Sequence, residues 1–212
     1  MKPFIVISNK KLTADTFCIR TERPNYEIKA GQCFNVGVPG MGINREYSMY
    51  SSADAPFLEF LIRNVQDGLV SARLEKLVAG DMVEIDGPYG EFCMPDDYQN
   101  KNFVFIASGT GIAPFHAFVK TYPDLKYQIL HGVRREGEVY GVEDYRKGAY
   151  ISCISKPENG AGFRVTDHIK KYPPLKNSSV YICGNRNMIV DSVEILLQQG
   201  FSGDQIITEV FF

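Results

Sequence analysis

Phe103-Val104-Phe105-Ile106-Ala107, followed one residue later by Gly109-Thr110-Gly111-Ile112-Ala113-Pro114, decides the fold of this 212-residue chain. The five apolar residues form a run of the kind buried on both faces of a parallel sheet. The glycines make a tight turn, and a helix from about Pro114 to Lys120 follows. Such a strand–turn–helix unit sets backbone N–H groups and a helix dipole where an anionic pyrophosphate can dock. Gly109 and Gly111 allow positive φ and leave room at the backbone, and Thr110 adds a hydroxyl donor. Pro114 stands where G-x-G-x-x-G has its third glycine, and proline is comfortable in a first helical turn. On spacing alone the same turn also serves a strand–helix connection that binds nothing.

The pattern continues downstream of the turn. Strands fit Tyr127 to His131, Tyr150 to Ile154, Val180 to Cys183 and Ile206 to Phe211, with a helix over Met188 to Gln199. Strand–helix alternation predicts a doubly wound parallel α/β sheet over residues 98–212. Upstream, short β-rich runs cover Phe4 to Ser8, Thr16 to Thr21, Gln32 to Val38, Tyr47 to Ser51, Phe57 to Arg63 and Met82 to Gly87. One helical stretch, Ser71 to Leu77, interrupts them. Many antiparallel strands in about 95 residues predict a closed Greek-key barrel over residues 1–97. The polar stretch Pro95 to Asn102 marks the boundary.

Composition excludes several classes. A net charge of −2 gives no electrostatic case for nucleic acid. No apolar run approaches the length of a membrane span and the N-terminus lacks a signal-peptide core, so a cytoplasmic protein without membrane insertion is expected. The five cysteines, Cys18, Cys33, Cys93, Cys153 and Cys183, include no C-x-x-C pair. They predict neither a disulfide framework, nor a zinc site, nor an iron–sulfur cluster. No metal is expected.

Arg45-Glu46-Tyr47-Ser48-Met49-Tyr50-Ser51-Ser52 presents a cation, an aromatic face and a row of hydroxyls. A guanidinium can fork onto a pyrophosphate, a tyrosine ring can stack on an isoalloxazine, and hydroxyls can bond its edge. Beyond this segment come Gly68-Leu69-Val70-Ser71, Gly87-Pro88-Tyr89-Gly90, the Gly109–Pro114 turn, Cys183-Gly184-Asn185-Arg186-Asn187-Met188 and Glu209-Val210-Phe211. In that order and spacing the chain resembles the ferredoxin–NADP⁺ reductase superfamily over nearly its whole length.

The resemblance implies an FAD-binding barrel followed by an NAD(P) domain. It implies that Arg45 meets the FAD pyrophosphate, that Tyr47 packs on the flavin with Ser48 near its N5, and that Ser51 and Ile62 belong to the same site. Gly68 and the Val70 and Ser71 backbone would cap the FAD phosphates, a role that fits Ser71 as a helix N-cap with Glu75 nearby. Gly109, Thr110, Gly111 and Pro114 would hold the dinucleotide, with Gly184, Asn185 and Met188 beside it. Cys183 would lie by the nicotinamide, and Glu209 would stabilise charge or relay a proton. Phe211 or Phe212 matches a tail aromatic that covers the flavin in relatives, and a terminal Phe-Phe also suits core packing.

NADH-preferring relatives commonly carry an acidic residue after a serine matching Ser155. Here Lys156 stands there, with Arg134 and Arg164 adding charge, so NADP(H) is preferred over NAD(H). The implied activity is hydride exchange between NAD(P)H and FAD, with single electrons passed to or from a separate ferredoxin or flavodoxin. Two alternatives share the fold: an NAD(P)H:flavin reductase, and an electron-transfer subunit of a larger redox complex. Gly68 and Ser71 favour tightly held FAD over the first. The second is disfavoured because the chain ends at Phe212 without a cysteine cluster. His131, after a buried strand, fits a satisfied core histidine, and His116 carries no assigned role.

Overall fold

A computed structural model describes residues 1–65 and 67–211 of the chain. They divide into two compact units, one of Met1–Cys93 with Ala113–Thr121, the other of Met94–Ile112 with Tyr122–Phe212.

The first unit is built on six antiparallel strands. They are β1 (Lys2–Lys11), β2 (Thr16–Glu22), β3 (Cys33–Gly37), β4 (Asn44–Ser48), β5 (Phe57–Arg63) and β6 (Met82–Tyr89). Their order in the sheet is β4-β3-β6-β1-β2-β5, so β6 inserts between strands far earlier in the chain in Greek-key fashion. Alternation decides the interior. Phe17 and Ile19 on β2, Phe34 and Val36 on β3, and Leu58 and Phe60 on β5 are all buried. Phe34 and Phe60 meet edge to face at 5.9 Å. Beyond β4 the chain leaves β3: Met49 N–H donates to Gln32 O at 3.0 Å, and Tyr50 N–H donates to Glu59 O on β5 at 2.8 Å. The second bond brings the two edges of the sheet together and closes the barrel.

Two helices complete this unit, α1 (Ser71–Leu74) and α2 (Ala113–Thr121). The helix expected over Ser71 to Leu77 thus ends after one turn. The Asn9 side chain ties down the helix end and the turn after it, donating to Leu74 O at 2.9 Å and Leu77 O at 2.9 Å. The helix expected after the Gly turn is α2. It clusters with the barrel, where Phe115 and Phe118 are buried against Phe92.

The second unit holds five parallel strands: β7 (Asn102–Ser108), β8 (Tyr127–Val133), β9 (Tyr150–Ile154), β10 (Ser178–Asn185) and β11 (Ile206–Phe211). The order β11-β10-β7-β8-β9 reverses direction at β7, which is the signature of a doubly wound sheet. Helices α3 (Val165–Lys171) and α4 (Arg186–Gln198) bury Ile169, Ile189 and Leu196 with Val104, Ile106 and Ile182 of the sheet. Among the described residues no helix is long and apolar enough to cross a membrane.

Candidate functional site

In an open parallel sheet, ligands bind beyond the carboxyl ends of the strands, at the point where strand order reverses. Here that point lies between β7 and β10. Ser108 ends β7, and a 3₁₀ turn over Gly109–Ile112 leads directly into α2. Gly109 has φ +54° and open space where a Cβ would stand. Gly111 differs from expectation, because its φ is not positive. It is glycine for closeness: a Cβ there would lie 2.5 Å from Cys183 O and 2.7 Å from Gly184 Cα. The turn therefore lies flat on the end of β10. Pro114 is buried as the second residue of α2.

The end of β10 is equally close-fitted. Gly184 has φ +142°, and a Cβ there would meet Ser108 Oγ at 2.2 Å. Ser108 Oγ accepts from Asn185 N–H at 3.0 Å and from Asn185 Nδ2 at 2.8 Å. Asn185 Oδ1 in turn accepts Met188 N–H at 3.0 Å and caps α4. One asparagine thus fixes both the strand end and the helix start, so α4 begins two residues earlier than its apolar periodicity indicates. Ser108 is a positioning residue that motif reading passed over, and its signal was a hydroxyl at the end of the strand before G-x-G.

Cys183 and Glu209 face each other across β10 and β11 in direct register. The thiol is fully buried and its Sγ donates to Glu209 Oε2 at 3.6 Å. Burial foremost, then the carboxylate, pushes this thiol well above its ordinary pKa. It is a protonated group facing a carboxylate rather than a nucleophile. Phe211 is half-buried at the end of β11, beside Asn185. Phe212 lies outside the described residues.

Past the ends of β8 and β9 the exposed cations include Arg134, Lys156 and Arg164. The backbone brings the first two together: Lys156 N–H donates to Arg134 O at 2.9 Å, as Ser155 N–H does to Val133 O. Arg164 precedes α3, its N–H donating to Asp167 Oδ2 at 2.8 Å. The chain before it passes so near Ser155 that a Cβ on Gly162 would lie 2.2 Å from Ser155 O. Two carboxylates share this edge, Glu138 receiving Arg134 N–H and Glu136 receiving Glu158 N–H.

In the first unit, Arg45 and Tyr47 lie two apart on β4 and so share a face, with Ser48 on the other. Arg45 is exposed, its Nη1 donating to the neighbouring Asn44 O at 2.7 Å. Tyr47 is half-buried, and burial raises its hydroxyl to about 12 despite Arg45 nearby. Ser51 is occupied locally: its Oγ accepts Glu59 N–H at 3.2 Å and donates to Phe57 O at 3.4 Å. Ile62 is 1 % exposed and turned into the core opposite Phe17. The site therefore gathers Arg45 and Tyr47 but leaves the Ile62 side chain out of reach.

Ser71 does not cap α1. Val70 holds the N-cap position in αR geometry. The Ser71 hydroxyl instead folds back, accepting Val65 N–H at 3.3 Å and donating to Asn64 Oδ1 at 3.4 Å. Gly68 makes that fold possible, since a Cβ there would sit 2.7 Å from Ser71 Oγ. Asn64 donates to Glu75, which also receives Lys11 Nζ at 2.9 Å. The first intrahelical bonds run from Arg73 and Leu74 N–H to Val70 O, so the N–H groups of Val70 and Ser71 precede them.

Known proteins place these two units in one family context. Residues 3–94 match the family model of the oxidoreductase FAD-binding domain, and residues 105–194 that of the oxidoreductase NAD-binding domain. The reductase subunit of an aromatic O-demethylase from Amycolatopsis is 29% identical over 203 residues, 87% of this chain and 61% of that protein. The reductase component of propane 2-monooxygenase from Rhodococcus jostii is 27% identical over 94% of this chain and 60% of its own length. The chain thus spans about three fifths of these relatives. A ferredoxin–NADP reductase from Azotobacter vinelandii is 25% identical over 90% of both chains. In fold, the chain superposes on a ferredoxin NADP⁺ reductase from Neisseria gonorrhoeae with a TM-score of 0.88 at 24% identity, covering 100% of this chain and 98% of that one.

Proposed function

We propose the function of a chain that belongs to the ferredoxin–NADP⁺ reductase superfamily: an FAD-dependent oxidoreductase that exchanges hydride with NAD(P)H and single electrons with a protein carrier. The observation that carries this reading is the switch point of the second unit. There an open glycine turn, the Gly184–Asn185 strand end and a buried thiol–carboxylate pair meet.

The residues fit both groups. In the first unit an exposed guanidinium and a half-buried phenol ring share one face of β4, and the leading N–H groups of α1 suit phosphate. A flavin held by these residues would supply hydride-accepting and one-electron redox chemistry. Arg45 would neutralise the FAD pyrophosphate and Tyr47 would pack on the ring system, while Ser48, buried on the other face of β4, stands at the strand's end. Gly109 and Thr110 would receive the dinucleotide phosphates. Cys183, fully buried at the end of β10, would keep a neutral thiol beneath the nicotinamide site, and Glu209, held by that thiol, would balance charge. The protein carrier would be of the ferredoxin or flavodoxin kind.

Anaerobic stopped-flow absorbance of the purified protein tests this reading. Bound oxidised flavin that bleaches rapidly on mixing with NADPH is the expected result. A colourless protein that takes up no FAD overturns it. A protein that reduces flavin only as a freely exchanging substrate points instead to the NAD(P)H:flavin reductase alternative.

The cations Arg134, Lys156 and Arg164 support NADPH over NADH, because a 2′-phosphate meets attraction where a carboxylate would repel it. Lys156→Glu is expected to reverse the preference. The NADPH/NADH ratio of kcat/KM should fall roughly 30-fold, corresponding to about 2 kcal/mol of exchanged charge contact. A ratio that stays within twofold removes Lys156 as the discriminating residue.

A further inference from the structure

His131 is a fully buried polar side chain in the interior of the parallel sheet, on β8 next to Ala107 of β7. A buried imidazole is unfavourable unless both nitrogens are bonded, and here both are. Nε2 lies 2.8 Å from Gly109 O, and Nδ1 lies 2.7 Å from the Tyr150 hydroxyl of β9. The chemistry assigns the tautomer. A carbonyl oxygen only accepts, so Nε2 carries the proton, and Nδ1 accepts from Tyr150 O–H. Burial also holds the ring neutral, lowering its pKa to about 4.

The partner of that one N–H is the first residue of the glycine turn. Gly109 stands at φ +54° with nothing packed where its Cβ would be, so sterics do not fix its peptide. Hydrogen bonding does. In a planar trans peptide the C=O of one residue and the N–H of the next point in opposite directions. Turning Gly109 C=O inward to His131 therefore turns Thr110 N–H outward, away from the buried ring. Thr110 N–H lies at the start of the 3₁₀ turn, where backbone donors precede the first intrahelical bond.

We infer that His131 is a positioning residue for dinucleotide binding: tied to β9 by Tyr150, it pins the Gly109 carbonyl and so aims Thr110 N–H at the phosphates. This rests on the dinucleotide reading of the turn given above. The role needs a neutral donor at the reach of Nε2, which glutamine supplies and phenylalanine does not.

The test uses the full flavin-loaded chain and its His131→Phe and His131→Gln variants, titrated calorimetrically with NADP⁺ and with NAD⁺. Amide hydrogen exchange is followed in the segment 108–112. The Phe variant is expected to bind the preferred dinucleotide about tenfold more weakly and to exchange faster in that segment alone. The Gln variant is expected to recover to within threefold on both readouts. Unchanged affinity in the Phe variant, or faster exchange spread evenly over the second unit, overturns the inference. Failure of the Gln variant to recover does so as well. Should the Phe variant not fold, Tyr150→Phe, which removes the donor that sets the tautomer, is expected to weaken binding about threefold, and unchanged affinity again overturns the inference. Wild-type protein that binds neither dinucleotide is a different failure, that of the dinucleotide reading itself.

Discussion

Gly111→Ala is expected to weaken NADP⁺ binding at least ~100-fold, about 2.7 kcal/mol. The added methyl would stand 2.5 Å from Cys183 O, 2.7 Å from Cys183 C and 2.7 Å from Gly184 Cα. All three are backbone atoms of β10, which is held on one side by β7 and on the other by β11. A strand paired on both edges cannot yield, so the turn must lift by roughly an ångström, a displacement of the order that costs 10²-fold where groups are preorganised. Gly109→Asn provides the contrast. Position 109 has positive φ but no neighbour within 4 Å, and asparagine adopts that conformation at about 1 kcal/mol or less. Its NADP⁺ affinity is expected to fall less than fivefold. Calorimetric titration of the two variants, with flavin content unchanged in both, gives the comparison. Equal effects would mean that the turn is shaped by φ and not by its contact with β10.

The two motifs that carry chemistry were legible in the sequence at different depths. Phe103–Ala107 and the glycines announced a buried strand and a turn, and Tyr150–Ile154 and Ile206–Phe211 match the observed strands to the residue. Spacing alone could not tell why each glycine is there. Gly109 answers to φ and Gly111 to closeness, and closeness is a property of β10, some seventy residues away. Helix α3 went unread because Val165 and Ile169 are its only buried apolar residues and no hydroxyl, Asn or Asp precedes it. It forms because both apolar residues enter the cluster beneath the sheet. Strand β4 lies three residues earlier than its β-rich composition suggests. Its partner β3 begins at Cys33, so Met49 bonds to Gln32 beside it, and Tyr50 and Ser51 cross to β5 instead of extending the ladder.

Side-chain roles were the least legible. Ser71 has the residue type of an N-cap, yet Gly68 opens space for its hydroxyl to fold back onto Val65 and Asn64, and Val70 takes the N-cap position instead. Ser51 looks like a free hydroxyl in sequence and is spent on the backbone of β5. Conversely, His131 reads as bland, and only the register of β7 with β8 sets it under Gly109. Long-range pairing decides each case, and pairing is what a linear motif omits.

Gly31→Ala is expected to be strongly destabilising, and nothing in the sequence singles this glycine out. Its φ of +93° already excludes an unstrained alanine, at about 1–2 kcal/mol. The new Cβ would also fall 2.0 Å from Phe92 O and 2.6 Å from the Phe118 ring. Phe118 is fully buried on α2, stacked near Phe92 at 6.1 Å, so the ring has no solvent to swing into. Overpacking of this kind adds about 1–3 kcal/mol. The combined loss, about 4 kcal/mol, corresponds to a fall of about 10 °C in the melting temperature of a chain this size. Gly40 and Gly80, also at positive φ but with nothing within 4 Å, carry the conformational part alone. Their alanine variants are expected to lose about 3–5 °C. Thermal unfolding of the three variants separates strain from packing. If Gly31→Ala melts no lower than the other two, the fit of Phe92 and Phe118 around that glycine is not what seats α2 in the barrel unit.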